Sequence, residues 1–147
     1  MMTRPEADAY LAGQRVCRVA TLAADSGPHV GALWYAWDGT ALWLYSLVHS
    51  GRWKDIARDP RISVVVDDGH AYEEIRGVEL RGRAEPVGEA PRTGEPVEEL
   101  EHIEALFARK YLGRGRMPYD RRHAWLRMVP EKIVSWDFRK IPGVTGG

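Results

Sequence analysis

Apolar and polar positions alternate in short runs along most of the chain, and the runs are separated by turn residues. Arg15–Ala24 is rich in β-branched and small residues and predicts a strand, closed by the turn Asp25-Ser26-Gly27-Pro28. His29–Trp37 predicts a second strand, Asp38-Gly39 a tight hairpin, and Ala41–Val48 a third strand. Arg61–Asp67 reads as a fourth, Asp68-Gly69 turns the chain, and the alternating span Glu74–Val87 is a fifth. Arg122–Val129 and Lys132–Phe138 read as two final strands separated at Pro130. Helical signals are fewer. Pro5–Gln14 is a short opening helix with Leu11 on its apolar side. A brief helix follows Ser50 and stops before Pro60, which disfavours helical geometry at Asp59. Val97–Leu112 places Val97, Leu100, Ile103 and Leu106-Phe107 at helical spacing, with acidic residues early. Gly88–Pro96 and Gly113–Pro118 are loops, and Val144–Gly147 reads as a frayed tail. Successive strands with only short helices between them predict a mainly β protein, an antiparallel barrel with added helices. The 147 residues form one domain with no internal repeat.

Composition narrows the function classes. A hydrophobic fraction of 44% and a charged fraction of 29% are those of a globular protein. The formal net charge is zero, which removes the electrostatic argument for nucleic acid or an anionic membrane as partner. Cys17 is the single cysteine, so no intrachain disulfide exists; with no apolar run and no secretory leader pattern, the expected compartment is the cytoplasm. The five histidines lack metal-ligand spacing with one another or with Cys17, so no metal site is expected. No nucleophile elbow or Walker-type loop occurs.

The candidate chemistry lies at Ser50-Gly51-Arg52-Trp53-Lys54. Ser50 is a good N-cap. Arg52 and Lys54 then fall in the first helical turn, where the dipole is already positive and cations are mildly unfavourable. A serine cap, open backbone N–H groups and two cations suit a bound phosphate; the plain alternative is a solvated basic helix start. The chain carries six tryptophans and six tyrosines, most of which must serve the core. Trp34, Tyr35, Trp43 and Tyr45 sit on the two strands that feed the cap, where aromatics can wall in a flat ring. Arg114, Arg116, Arg121 and Arg122 form the one local basic cluster, either solvated or facing an anionic ligand or a partner subunit.

Several stretches in this order resemble the split β-barrel flavin-binding superfamily, which includes the pyridoxamine-5′-phosphate oxidase-like proteins and the F420 (deazaflavin)-dependent reductases. They are Arg18-Val19-Ala20-Thr21-Leu22, Gly27-Pro28-His29-Val30, Leu33-Trp34-Tyr35, Trp37-Asp38-Gly39, Ala57-Arg58-Asp59-Pro60-Arg61 and the run Arg76 to Ala84. The resemblance spans Arg15 to Lys140 and implies a split β-barrel of FMN/F420-binding type. It places the cofactor phosphate at Ser50 and Arg52, with Lys54 close by. Tyr45 and Ser46 match cofactor contacts, and Leu33, Trp34 and Tyr35 match the strand whose backbone lies along the ring. Trp136 and Arg139, in Ser135-Trp136-Asp137-Phe138-Arg139-Lys140, would reach a cofactor across a homodimer interface. Three departures separate the chain from the oxidases acting on pyridoxamine phosphate. Gly51 and Arg52 stand where those enzymes have Arg and Lys, Gly77 stands where they carry glutamine, and their C-terminal Arg-x-His stretch is absent.

The resemblance therefore implies an F420-binding oxidoreductase that transfers a hydride between F420 and a small organic molecule. The alternatives are an FMN-dependent enzyme of the same fold and a non-catalytic carrier of a flavin-like cofactor. Tyr35 and His49 are the candidate proton donors, with water as the other source.

Overall fold

The computed structural model describes residues 1–142. Its strands are β1 (Val16–Leu22), β2 (Pro28–Trp37), β3 (Leu42–Leu47), β4 (Arg61–Asp68), β5 (Arg76–Val87) and β6 (His123–Asp137). Its helices are α1 (Arg4–Gly13), α2 (Gly51–Arg58) and α3 (Glu98–Leu112). The strands close into an antiparallel barrel in the order β1-β2-β3-β6-β5-β4, as the mainly β expectation required. Of the tail expected from residue 141 onward, Ile141 and Pro142 are described and Gly143–Gly147 lie outside the described residues.

One expectation is corrected. The two final strands are a single strand, β6, paired with β5 along its length. Pro130 does not end it. Arg81 faces Lys132 and Gly82 faces Pro130, so Glu131 is an extra residue and the register shifts there. A β-bulge accommodates the missing proline N–H without breaking the strand.

Alternation decides what fills the barrel. Cys17 and Val19 of β1, Leu42 and Leu44 of β3, Val64 and Val66 of β4, and Val78 and Leu80 of β5 all point inward and are buried. Tyr35 joins them, and its hydroxyl donates to the Leu11 carbonyl of α1. Burial pushes the Cys17 thiol up to about 12, so it is an inert core residue. A second core forms outside the barrel, where Leu100, Ile103 and Phe107 of α3 cover Trp43 and Trp125. A buried ion pair ties the preceding loop to this helix. Arg92, 2% exposed, donates to both Glu104 oxygens at 2.8 and 3.0 Å. No helix among the described residues is long and apolar enough to cross a membrane.

The closed barrel is splayed along one seam, where the pairing is short. Only Tyr35–Trp37 of β2 pair with β3, while Pro28–Trp34 pair with β1 alone. Beyond Leu44, β3 pairs only with β6. The two strands diverge, and α2 follows directly from the end of β3.

Candidate functional site

Two hollows border this seam. The smaller, about 190 Å³, is lined by Val19 and Thr21 of β1, His29, Val30 and Gly31 of β2, and Ser50, Gly51 and Arg52 at the start of α2. Ser50 caps the helix: its hydroxyl accepts from the Trp53 N–H at 3.1 Å and donates to the Leu47 carbonyl at 2.7 Å. Arg52 is half-buried and donates to Ser46 Oγ at 3.2 Å. Burial, not a neighbouring charge, dominates its environment and holds its pKa below the usual guanidinium value; no carboxylate acts on it. Gly31 makes room for this guanidinium, since a Cβ there would lie 3.2 Å from Arg52 Nη2. A half-buried cation at a helix N-terminus, with no anionic side chain beside it, has the donor set of an anion site.

The larger hollow, about 370 Å³, is lined by Leu33 and Trp34 of β2, Tyr45 of β3, Phe107 of α3, and Tyr119 and His123 beyond it. Its walls are aromatic. Trp34 stacks on Tyr111 with centroids 4.3 Å apart, and Tyr45 stacks on His123 at 5.0 Å. Asp120 Oδ2 lies 2.5 Å from His123 Nδ1. The Tyr45 hydroxyl is buried without a hydrogen-bond partner, and burial raises its pKa, so it stays protonated. A neutral, orphaned hydroxyl is a donor awaiting an acceptor.

The seam joins the two hollows along β2. The Tyr111 hydroxyl lies 2.6 Å from the Arg15 carbonyl and 2.7 Å from the Tyr35 carbonyl, which share its single hydrogen, and it accepts from the Tyr35 N–H at 3.2 Å. Tyr35 thus spends its backbone groups toward the β1 side. By strand alternation, the backbone groups of Val30, Ala32 and Trp34 face the seam that β3 has left open.

The structure thus brings Ser46, Ser50 and Arg52 together at one end, and Leu33, Trp34 and Tyr45 together at the other. Lys54 is exposed and does not line either hollow. The Tyr35 phenol points into the barrel with its hydroxyl committed to the Leu11 carbonyl, so only its backbone lies beside the seam and its side chain lines neither hollow. His49 is exposed. Trp136 lies over Gly77, where a Cβ would sit 2.5 Å from its Cζ2. Arg139 holds Asp137 through two hydrogen bonds of 2.9 and 2.8 Å, beside Tyr10 and Arg76. Those bonds hold the Asp137 carboxyl at about 2. Within one chain, neither Trp136 nor Arg139 reaches the two hollows.

Sequence reading passed over one group that the fold places in the smaller hollow. His29 Nδ1 lies 2.9 Å from Asp55 Oδ2, and Thr21 Oγ1 donates to the same oxygen at 2.7 Å. Asp55 is 5% exposed, and the Thr21 hydroxyl, ahead of His29, holds it below the usual carboxylate range. Twenty-six positions separate His29 from Asp55, and no local pattern links them.

An antiparallel barrel splayed between two strands, with an anion-suited helix start in the gap, is the architecture of the split-barrel flavin-binding oxidoreductases. The chain belongs to the pyridoxamine 5′-phosphate oxidase family, whose model matches residues 3–137. Among solved structures it is similar to the conserved hypothetical protein Rv2991 from Mycobacterium tuberculosis. The two are 29% identical with a TM-score of 0.79, over 100% of this chain and 93% of that one. It also resembles a FAD-binding protein (mll6688) from Mesorhizobium loti, at 22% identity and a TM-score of 0.67, over 91% of this chain and 92% of that one. An F420 reductase aligns at 20% identity with a TM-score of 0.65, over 86% of this chain and 94% of that one. A comparison with curated proteins finds no match.

Proposed function

We propose that the protein is an F420-binding oxidoreductase that works as a homodimer in the cytoplasm, with the cofactor between subunits. The reading is carried by Arg52, a half-buried guanidinium with no carboxylate acting on it, set at the N-terminus of α2 beside Gly31. Ser50, Gly51 and Arg52 would hold the cofactor phosphate, and Lys54 adds an exposed cation toward an acidic tail. The open edge of β2 and the hollow lined by Leu33, Trp34 and Tyr45 suit a flat ring, and the orphaned Tyr45 hydroxyl supplies a hydrogen-bond donor for it. Trp136 lies at the far end of β6 and Arg139 just beyond it, and both would serve the second cofactor of the dimer.

When bound, the deazaflavin supplies a hydride acceptor or donor at its ring carbon. The protein's part is to bind, orient and exclude water. The aromatic walls take a planar molecule out of water, while the cationic end anchors it. The Trp34-Tyr35 pair, the Arg58-Asp59-Pro60-Arg61 run and the Ser135-Trp136-Asp137-Phe138-Arg139-Lys140 ending resemble the F420-dependent branch and support the deazaflavin over FMN. Titrating the purified protein with each cofactor tests the choice: micromolar FMN binding with no F420 binding would reverse it. Reduced F420 should then be consumed in the presence of a small organic acceptor. Binding without turnover across a broad panel would instead identify a carrier.

A further inference from the structure

We propose that Ser26, His29 and Asp55 form a second, hydrolytic site that cleaves small esters with short apolar acyl groups. This activity lies beyond the cofactor reading and does not rest on it. Three side chains stand in line. Ser26 Oγ lies 2.9 Å from His29 Nε2, and His29 Nδ1 lies 2.9 Å from Asp55 Oδ2. A nucleophile, its general base and the carboxylate that positions the base require this order, with each ring nitrogen on its own partner. Burial follows the same order. Ser26 is exposed in the turn between β1 and β2, the His29 side chain is half-exposed, and Asp55 is buried, where it accepts from Thr21 Oγ1 at 2.7 Å. An ionised carboxylate only accepts hydrogen bonds, so Nδ1 carries a hydrogen, and in the neutral ring Nε2 accepts from the Ser26 hydroxyl.

Two further features fit acyl transfer. Among the described residues, no protein group accepts from the backbone N–H of Ser26 or Gly27, so both are free to meet the oxygen that gains charge. Leu22 and Pro28 face each other at the base of the turn and line a mainly apolar hollow of about 240 Å³ with Ala20 and Ile62. That hollow suits a short acyl chain. In the first step Ser26 Oγ bonds to the ester carbonyl carbon while Nε2 takes the hydroxyl proton. The bond from that carbon to the alkoxy oxygen then breaks, and the alcohol leaves with the proton from Nε2. In the second step water attacks the acyl-serine, gives its proton through Nε2 to Ser26 Oγ, and releases the carboxylic acid. Water is the only co-reactant. Asp55 acts through His29 alone, by holding the tautomer that leaves Nε2 free to accept.

The test uses the intact protein, without cofactor, and two probes: an alkyl fluorophosphonate, which captures activated serines, and p-nitrophenyl butyrate, whose hydrolysis releases a coloured phenolate. Peptide mass spectrometry should find the phosphonyl group on Ser26. Ser26→Ala should abolish that label and return hydrolysis to the rate without protein. His29→Gln should slow both reactions by at least about 100-fold, the range of a positioned general base. Asp55→Asn should slow them by at least about tenfold and shift the ring ¹⁵N resonances of His29 away from the Nδ1–H tautomer, a signature that loss of packing alone would not give. Thermal melting checks that each variant is folded, and Ser26→Ala, at an exposed turn, decides the question even if Asp55→Asn unfolds. An unlabelled Ser26, or labelling as fast in His29→Gln, would overturn the proposal. So would ester hydrolysis that persists in Ser26→Ala, because the imidazole would then be acting alone. Failure to bind F420 or FMN would sink the cofactor reading and leave these results untouched.

Discussion

Replacing Arg52 with glutamine separates a binding residue from a structural one. Arg52 makes one side-chain hydrogen bond, to Ser46 at 3.2 Å, the long end of the range, and no carboxylate acts on it. Losing that bond costs about 0.5 kcal/mol, at the weak end for neutral acceptors. Against it stands the removal of a cation from the first turn of α2, which returns about 0.3–1 kcal/mol. The two nearly cancel, so the melting temperature of the cofactor-free protein should move by less than about 4 °C. Binding should behave differently. A charge-assisted hydrogen bond to phosphate contributes about 1.5–3 kcal/mol, so the dissociation constant should rise about 10- to 150-fold. Cofactor titration followed by absorbance or fluorescence, paired with thermal melting, reads both quantities. Unchanged affinity would refute the placement of the anion. A large fall in melting temperature would show that Arg52 holds the fold rather than the ligand.

Tyr45→Phe removes a buried hydroxyl that has no partner. Unfolding free energy should stay within about 0.5 kcal/mol or rise, while cofactor affinity falls; a clear loss of stability in urea melts would mean the hydroxyl is already satisfied. Gly77→Ala would set a methyl 2.5 Å from the Trp136 ring, so the indole must shift, at a cost of about 1–3 kcal/mol and with a changed tryptophan emission. An unchanged spectrum and midpoint would refute that contact. Arg139 holds Asp137 at about 2, below its unfolded value. The contribution of this carboxylate to stability is therefore complete above about pH 4 and is lost as pH falls toward 2. Asp137→Asn should flatten that part of the acid-unfolding curve, and an unaltered slope would count against the pair.

The legible parts of the fold were those governed by local chemistry. Alternation marked the strands, Ser50 and Pro60 bracketed α2, and the charge mismatch at Arg52 was visible before any packing was known. Pro130 misled because a proline ends a strand by its own chemistry, whereas the bulge opposite Gly82 that keeps β6 continuous is a property of two strands together. Tyr35 misled for the same reason. A strand residue has two faces, and only barrel closure turned its phenol inward to the Leu11 carbonyl. His29 stood within a recognisable motif, yet its partner is Asp55 of α2, which meets it only when β1, β2 and that helix pack.

The sequence by itself determined most of the elements, their order and the serine-capped, cationic start of α2, because capping, dipole and alternation act over a few residues. Tertiary structure decided where the barrel splays, which aromatics share a hollow, and that His29, paired with the buried Asp55, lines the same hollow as Arg52. Those outcomes depend on the register of strands distant along the chain, and no local pattern encodes that register.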